Sequence, residues 1–229
     1  MEVVNDFWLS VSPRTIGEKE LRSSMKGTDV HSNETNWQLV SLADLDVTTG
    51  EVTQTNSGFL SLNAPATRAQ LHIGLHRQAF VRFRYRGQST ETSQNASGEI
   101  VEQIGLKLRT LNTCNLLYVM WRITPPEGIV VKVKRNSGQS QHKECEANGY
   151  ISILPSLETP LAITATDQRA HRLRATMEEH EAAVGVSVWV DEVLVWTGDI
   201  PHSLLFGIDG PAGFRTDNGS FIFKMFVEA

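Results

Sequence analysis

Ten of the 21 lysine and arginine residues of this 229-residue chain lie in stretches where apolar and polar side chains alternate. An alternation with a period of two places the polar residues of a β-strand on one face of a sheet. If such strands are neighbours, their cations share a surface, and the guanidinium fork of arginine pairs bidentately with carboxylate or sulfate. The pattern therefore predicts a site for a polar or anionic ligand. The cations are Arg82, Arg84, Arg86, Lys107, Arg109, Arg122, Lys132, Lys134, Arg172 and Arg174.

A cationic sheet face also has a simpler explanation. Alternating lysine and arginine residues keep an exposed sheet solvated and discourage pairing between sheet edges. The sequence leaves both explanations open, because it does not show which strands are neighbours. If the face binds a ligand, we expect the ligand-binding residues to be Arg82, Arg84, Lys107, Arg109, Tyr118, Arg122, His142 and Trp189.

The elements that must position these residues are short strands separated by turns. Ten or more strands with almost no helix predict an all-β fold, a two-sheet antiparallel sandwich. Residues 115–123 are apolar at successive positions, as expected of a central strand that is covered on both faces. The clearest alternating stretches are residues 79–86, 104–109, 129–134, 170–177 and 184–190. Weaker patterns predict strands at 59–62, 70–75 and 220–227, and a turn at 210–217.

The domain organisation follows from chain length and pattern. No internal repeat or low-complexity linker divides the chain, and all-β sandwiches of this length are commonly one domain. We therefore predict a single domain over residues 1–229, with an irregular N-terminal segment at about 1–57. Two long polar loops, 87–99 and 136–149, lie between neighbouring strands.

Composition and charge argue against several classes of protein. The net charge of −5 provides no general attraction to nucleic acid or to an anionic membrane. No stretch approaches the ~20 apolar residues of a membrane helix, and no signal peptide is visible at the N-terminus. We therefore expect a soluble protein, either cytoplasmic or the mature chain of a secreted one.

Cysteines and acidic residues offer few cofactor ligands. Cys114 and Cys145 could form a disulfide or remain thiols, and the usual burial of cysteine favours two free thiols. Two cysteines without further ligands at metal spacing do not make a zinc site. Calcium is the one metal indicated, because Asp209, Asp217 and Asn218 flank a Gly-Pro turn and offer hard oxygen ligands. Asp and Asn are also the ordinary residues of turns.

The last third of the chain carries a resemblance to a known superfamily. The matching segments are His171-Arg-Leu-Arg-Ala175, Val188-Trp-Val-Asp191, Gly210-Pro-Ala-Gly-Phe-Arg-Thr-Asp217 and Phe221-Ile-Phe223. Together they resemble the final strands of concanavalin A-like jelly rolls, which include laminin-G-like domains, legume-type lectins and family 16 glucanases. The resemblance implies a jelly-roll sandwich with an oligo- or polysaccharide on its concave sheet face, where Trp189 could stack on a sugar ring.

The catalytic patterns of enzymes with this fold are altered or missing. Family 16 glucanases carry Glu-x-Asp-x-x-Glu on one strand, whereas the nearest segment here is Met177-Glu-Glu-His-Glu181. Jelly-roll alginate lyases have a Gln-Ile-His strand, whereas this chain has Gln103-Ile-Gly105. A lyase would need a base such as His142 or Tyr150 close to an arginine that neutralises the uronate. The leading prediction is a lectin-like, carbohydrate-binding protein. A glycoside hydrolase, a polysaccharide lyase and an interaction domain remain as alternatives.

Overall fold

The chain folds into two antiparallel β-sheets that pack face to face. The structure is a computed structural model that describes residues 36–95, 97–161 and 164–229. These residues form sixteen strands, so the all-β, two-sheet sandwich predicted from the sequence is confirmed. The strands are β1 Trp37–Val40, β2 Leu45–Thr49, β3 Thr53–Gln54, β4 Leu60–Asn63, β5 Ala66–Leu71, β6 Gln78–Gln88, β7 Gln103–Asn112, β8 Asn115–Arg122, β9 Gly128–Lys134, β10 Tyr150–Ser152, β11 Leu157–Glu158, β12 His171–Glu179, β13 Ala183–Val190, β14 Val193–Pro201, β15 Gly213–Asp217 and β16 Gly219–Glu228.

The two sheets interleave strands from distant parts of the chain. One sheet has nine strands. Eight of them follow the order β11-β14-β13-β12-β6-β16-β4-β3, and the ninth, β1, pairs with β16. The other has seven strands in the order β10-β9-β8-β7-β15-β5-β2. Because β15 and β16 lie in different sheets, the chain crosses between the sheets at residue 218.

Within residues 36–95, 97–161 and 164–229, helical structure is limited to single turns. Two α-helical turns, α1 (His142–Cys145) and α2 (His202–Leu205), and two 3-10 turns, Leu42–Asp44 and Ala165–Asp167, lie in connections between strands. Across the described residues, no helix has the length and apolar character that a membrane span requires.

The core lies between the sheets, and strand alternation decides which residues reach it. On β12, Leu173 and Ala175 are fully buried while Arg172 and Arg174 point to the outer face. Trp121 and Trp196 lie in this core and are 0% and 1% exposed. Burying a large apolar side chain of this kind contributes about 1.5–3 kcal/mol, so this layer stabilises the sandwich.

Three strands lie in a segment that the sequence marks as irregular. Strands β1, β2 and β3 occupy residues 37–54, whereas residues 1–35 of the predicted irregular segment lie outside the described residues. These strands are short and largely exposed, and they are defined by pairing with β16, β5 and β4 rather than by a regular apolar pattern.

Two further strands differ from the prediction. Strand β5 begins at Ala66, four residues before the predicted strand, because its inward residues Thr67 and Ala69 are too small to show an apolar pattern. Strand β15 replaces a predicted turn. Gly213 permits it, since a Cβ there would lie 2.2 Å from the carbonyl oxygen of Ala69 on the neighbouring strand.

The two cysteines form a disulfide, so the expectation of free thiols is wrong. Cys114 and Cys145 are joined and both are 0% exposed. The polar loop after β9 folds back over the start of β8, where the Asn115 side chain donates to the Gln139 carbonyl at 2.8 Å. This return of the loop brings the two cysteines together across 31 residues of sequence.

A histidine beneath the nine-stranded sheet is held between two carboxylates. The ring nitrogens of His171 lie 2.8 Å from Asp191 and 2.8 Å from Asp167, and the ring packs edge-on against Trp121. Burial alone would lower the pKa of His171, but the hydrogen bonds and charges of the two aspartates raise it. Burial also opposes ionisation of Asp167, yet Arg169 and His171 lower the pKa of its carboxyl to about 2.

This cluster predicts a pH-dependent contribution to stability. A histidine pKa that folding raises stabilises the protein fully below the unfolded value of ~6.5, and the contribution disappears as the pH rises through the folded pKa. We expect urea unfolding to show a smaller difference in stability between the wild type and His171→Gln at pH 8.5 than at pH 5.5. The exposed His72→Gln serves as the control. A difference that is constant or grows with pH contradicts the charged cluster.

Candidate functional site

The outer face of the seven-stranded sheet holds a cavity of about 810 Å³. Side chains of six strands form its floor, and two loops form its walls. The floor residues are Ala66 and Arg68 of β5, Gln103 of β7, Tyr118, Met120 and Arg122 of β8, Val130 and Lys132 of β9, Tyr150 of β10, and Arg215 and Asp217 of β15. The walls are formed by Ser93, Gln94, Asn95 and Ser97 before β7 and by His142, Lys143, Glu146 and Ala147 around α1.

Two glycines explain the hollow in the middle of this face. Gly105 of β7 lies opposite Arg215 on one side and Met120 on the other, and Gly213 of β15 lies opposite Lys107. A Cβ at Gly105 would lie 2.2 Å from the carbonyl oxygen of Val119, so no larger residue fits that position. The strands approach closely there, and neither of these two positions contributes a side chain to the face.

Arg215 is the centre of the floor. Its Nε donates to Asp217 at 2.8 Å and its Nη1 donates to the Tyr150 hydroxyl at 3.1 Å, while its guanidinium carbon lies 4.8 Å from the centre of the Tyr118 ring. Burial raises the pKa of Tyr118 to about 12. Burial acts in the same direction on Tyr150, but the charges of Arg215 and Lys134 outweigh it and lower the Tyr150 pKa.

Asp217 neutralises two of the cations. Its carboxylate accepts hydrogen bonds from Arg215 at 2.8 Å, from Arg68 at 3.5 Å and from the Gln103 amide at 2.5 Å. Its oxygens are therefore used within the floor, where they hold Arg68 and Arg215 in place.

The cavity nevertheless carries excess positive charge. Among the described residues, its lining has five lysine or arginine side chains and two carboxylates, Asp217 and Glu146. This positive charge affects the pKa values of neighbouring groups. Burial lowers the pKa of Lys107 to about 7, and the charges of Arg68 and Arg215 lower it further. Burial and then the charge of Arg68 also lower the pKa of His142. A ligand that brings negative charge would relieve this repulsion.

Three cations of the lining are not neutralised. Arg122, Lys132 and Lys143 form no ion pair within the described part of the chain. The buried Nε of Arg122 has no hydrogen-bond partner there. An unpaired buried donor costs about 1–3 kcal/mol, and an acceptor on a ligand would remove that cost.

The structure brings together part of the predicted ligand-binding set. Tyr118, Arg122 and His142 line the cavity. Lys107 lies beside Tyr118 on the same face, fully buried, with its ammonium 3.3 Å from the Gln70 side chain. The alternating pattern of β7 and β8 therefore identified one side of this face.

The other predicted ligand-binding residues lie elsewhere. Arg82, Arg84 and Trp189 belong to the outer face of the nine-stranded sheet, where the Arg174 guanidinium stacks over the Trp189 ring at 4.1 Å. Arg109 pairs with Glu179 at 3.1 Å and with Asp209 at 3.6 Å, and it does not line the cavity. Alternation gives the face of a strand but not the sheet to which the strand belongs, so the cations divide between two sheets.

The three residues suggested as calcium ligands each bind a different protein partner. Asp209 pairs with Arg109, Asp217 binds the floor cations, and the Asn218 side chain holds a wall loop. In the parts of the chain covered by the structure, no three His, Cys, Asp or Glu side chains gather as a metal would require. Calcium binding stays a prediction.

Sequence reasoning missed Arg68, Gln103 and Arg215 as site residues. Arg68 lies in β5, whose apolar pattern is weak, and Arg215 lies in the segment interpreted as a turn. The available signal was the spacing of Gly213, Arg215 and Asp217, which puts all three on one face of a strand.

Comparisons with known proteins support the fold. No protein-family model matches the sequence, and no curated protein matches it. A solved carbohydrate-binding module, CBM66 from Bacillus subtilis, is 10% identical over 79% of this chain and 91% of that chain, with a TM-score of 0.51. A legume lectin-like domain from Entamoeba histolytica is also 10% identical, over 82% of this chain and 91% of that chain, with a TM-score of 0.46. The similarity to the carbohydrate-binding module confirms the jelly-roll sandwich fold that the sequence resemblance implied.

Proposed function

We propose that this protein binds carbohydrate in the cavity on the seven-stranded sheet, and that its ligand is an oligo- or polysaccharide carrying carboxylate or sulfate groups. The observation that carries the proposal is the walled, cationic floor, in which Arg122 and Lys132 keep unneutralised charge. Arginine pairs with the acid groups of a ligand. The similarity to a solved carbohydrate-binding module supports the same assignment.

The disulfide favours a secreted location, because such bonds persist in oxidising compartments.

Calorimetry with defined saccharides tests the proposal. The probes are oligosaccharides of alginate, polygalacturonate and chondroitin sulfate, with neutral dextran and cello-oligosaccharides of matched length. We expect binding of at least one acidic probe, weakening steeply with salt because exposed charges are screened. Binding to neutral probes alone overturns the anionic assignment, and binding to none of them overturns the carbohydrate assignment.

His142 predicts a pH dependence of this binding. Its pKa is lowered in the free protein because burial and the surrounding cations disfavour the imidazolium. A bound anion favours the charged form, so affinity for a sulfated probe, which stays ionised, should increase as the pH falls from 7.5 to 5.5. His142→Asn should reduce that increase. An equal pH dependence in both proteins places the responsible group elsewhere.

A polysaccharide lyase is the second candidate, favoured by the position of Tyr150. Its hydroxyl accepts a hydrogen bond from Arg215 at 3.1 Å, and Arg215 and Lys134 lower its pKa despite burial. A phenolate there could remove the proton at C5 of a uronate. The pair of electrons released would form the C4–C5 double bond, and the 4-linked sugar would leave with a proton from solvent. Absorbance at 235 nm with alginate or polygalacturonate, lost in Tyr150→Phe, would establish this activity. Binding without new absorbance favours the carbohydrate-binding protein.

A further inference from the structure

One wall of the cavity depends on a single side chain. The connection between β6 and β7 carries Ser93, Gln94, Asn95 and Ser97 over the cavity, and these side chains are polar and uncharged. In the part of the chain that the structure describes, the hydrogen bonds joining residues 91–101 to the sheets all belong to Asn218. Its Oδ1 accepts from the Ser93 amide at 2.7 Å, and its Nδ2 donates to the carbonyls of Ser93 at 2.9 Å and Val101 at 3.1 Å.

The backbone of Asn218 fixes this side chain in place. Asn218 is 3% exposed and has a φ of 53°, a left-handed conformation that asparagine and glycine adopt more readily than other residues. Its amide donates to the Pro65 carbonyl at 3.0 Å, and its carbonyl accepts from the Ser89 amide at 2.9 Å. Its neighbour in sequence is Asp217, which holds Arg68 and Arg215 in the floor. One dipeptide therefore organises both the charged floor and the uncharged wall.

We propose that Asn218 is a positioning residue of the site, which holds the wall of Ser93, Gln94, Asn95 and Ser97 against the uncharged hydroxyl groups of the ligand. This inference rests on the proposed carbohydrate-binding function. The floor cations supply the part of the affinity that salt screens. The wall supplies hydrogen bonds to the neutral groups of the ligand, and this part of the affinity does not depend on salt concentration.

The decisive variant is Asn218→Gly, because glycine keeps the left-handed backbone and removes only the side-chain amide. We expect its Kd for the acidic oligosaccharides of alginate, polygalacturonate and chondroitin sulfate that bind the wild type to rise about tenfold, the loss of one or two hydrogen bonds. The slope of log Kd against log salt concentration should stay at the wild-type value. Arg122→Ala is the contrast, since it should make that slope shallower.

Hydrogen exchange separates positioning from a general loss of stability. In Asn218→Gly the Ser93 amide loses its acceptor and should exchange faster, whereas the Ser89 amide keeps the backbone carbonyl of residue 218 and should remain protected. Asn218→Asp should bind the acidic probes more weakly than the glycine variant, because its carboxylate would face the carbonyl oxygens of Ser93 and Val101 and add negative charge beside the cavity.

The outcomes distinguish this inference from the function on which it rests. A wild type that binds none of the acidic probes overturns the proposed function and the inference with it. A wild type that binds, with Asn218→Gly binding equally well or with a changed salt slope, overturns the positioning role alone. Faster exchange at Ser89 as well as at Ser93 also overturns it, because the whole connection would then have loosened.

Discussion

Arg122→Ala is expected to weaken binding of an acidic oligosaccharide roughly 10- to 100-fold. The reason is that a hydrogen bond to a charged group is worth about 1.5–3 kcal/mol, and ~1.4 kcal/mol corresponds to a factor of ten in Kd. Arg122 lines the cavity, has no ion pair in the described residues, and presents a buried Nε without a partner. Its stability cost should be small, because the substitution removes no protein partner of that nitrogen. Calorimetry at low salt measures the Kd.

Arg86→Ala is the matched control for this variant. Arg86 lies on β6 in the opposite sheet and is exposed, so its removal changes the net charge by the same amount away from the cavity. Equal losses of affinity in the two variants would show that net charge attracts the ligand and that the cavity does not hold it. An unchanged Kd in Arg122→Ala would remove this residue from the site.

The double variant Cys114→Ala/Cys145→Ala is expected to lose about 3–4 kcal/mol of unfolding free energy. The disulfide closes a loop of 31 residues, and a cross-link over that length removes a corresponding amount of entropy from the unfolded chain. Urea unfolding of the variant and the wild type at the same pH gives the difference. Because the disulfide anchors α1, which carries His142 in the cavity wall, the variant should also bind acidic saccharides more weakly.

The control for this variant is the wild type treated with reductant under native conditions. Both cysteines are fully buried, so the folded protein should keep its disulfide and its stability on a short incubation. Unfolding in urea with reductant should then reproduce the instability of the double variant. A difference below ~1 kcal/mol between wild type and double variant would contradict a structural role for the bond.

The hydrophobic alternation of the long strands was sufficient to predict the sandwich. In β6, β12 and β13 the inward positions are mostly apolar, so the period of two is clear and the burial follows it. Strand β15 was missed and β5 was predicted only from residue 70, because small residues such as Ala69 and Gly213 fill their inward or close-packed positions. A pattern based on apolar side chains carries little signal where the packing requires a small side chain or none.

The candidate site was predicted only in part, and the reason is topological. Residues separated by an even number of positions in a strand lie on the same face. Tyr118 and Arg122 of β8 could therefore be assigned to one face from the chain alone. Whether Arg82 or Arg215 joins them depends on which strands pair, and β15 reaches β7 from more than 100 residues away in sequence. Local spacing thus determined the all-β sandwich and the polar faces of its strands. Tertiary pairing alone decided that Arg68, Arg122, Tyr150 and Arg215 share one cavity, because strands distant in sequence become neighbours only when the sheets assemble.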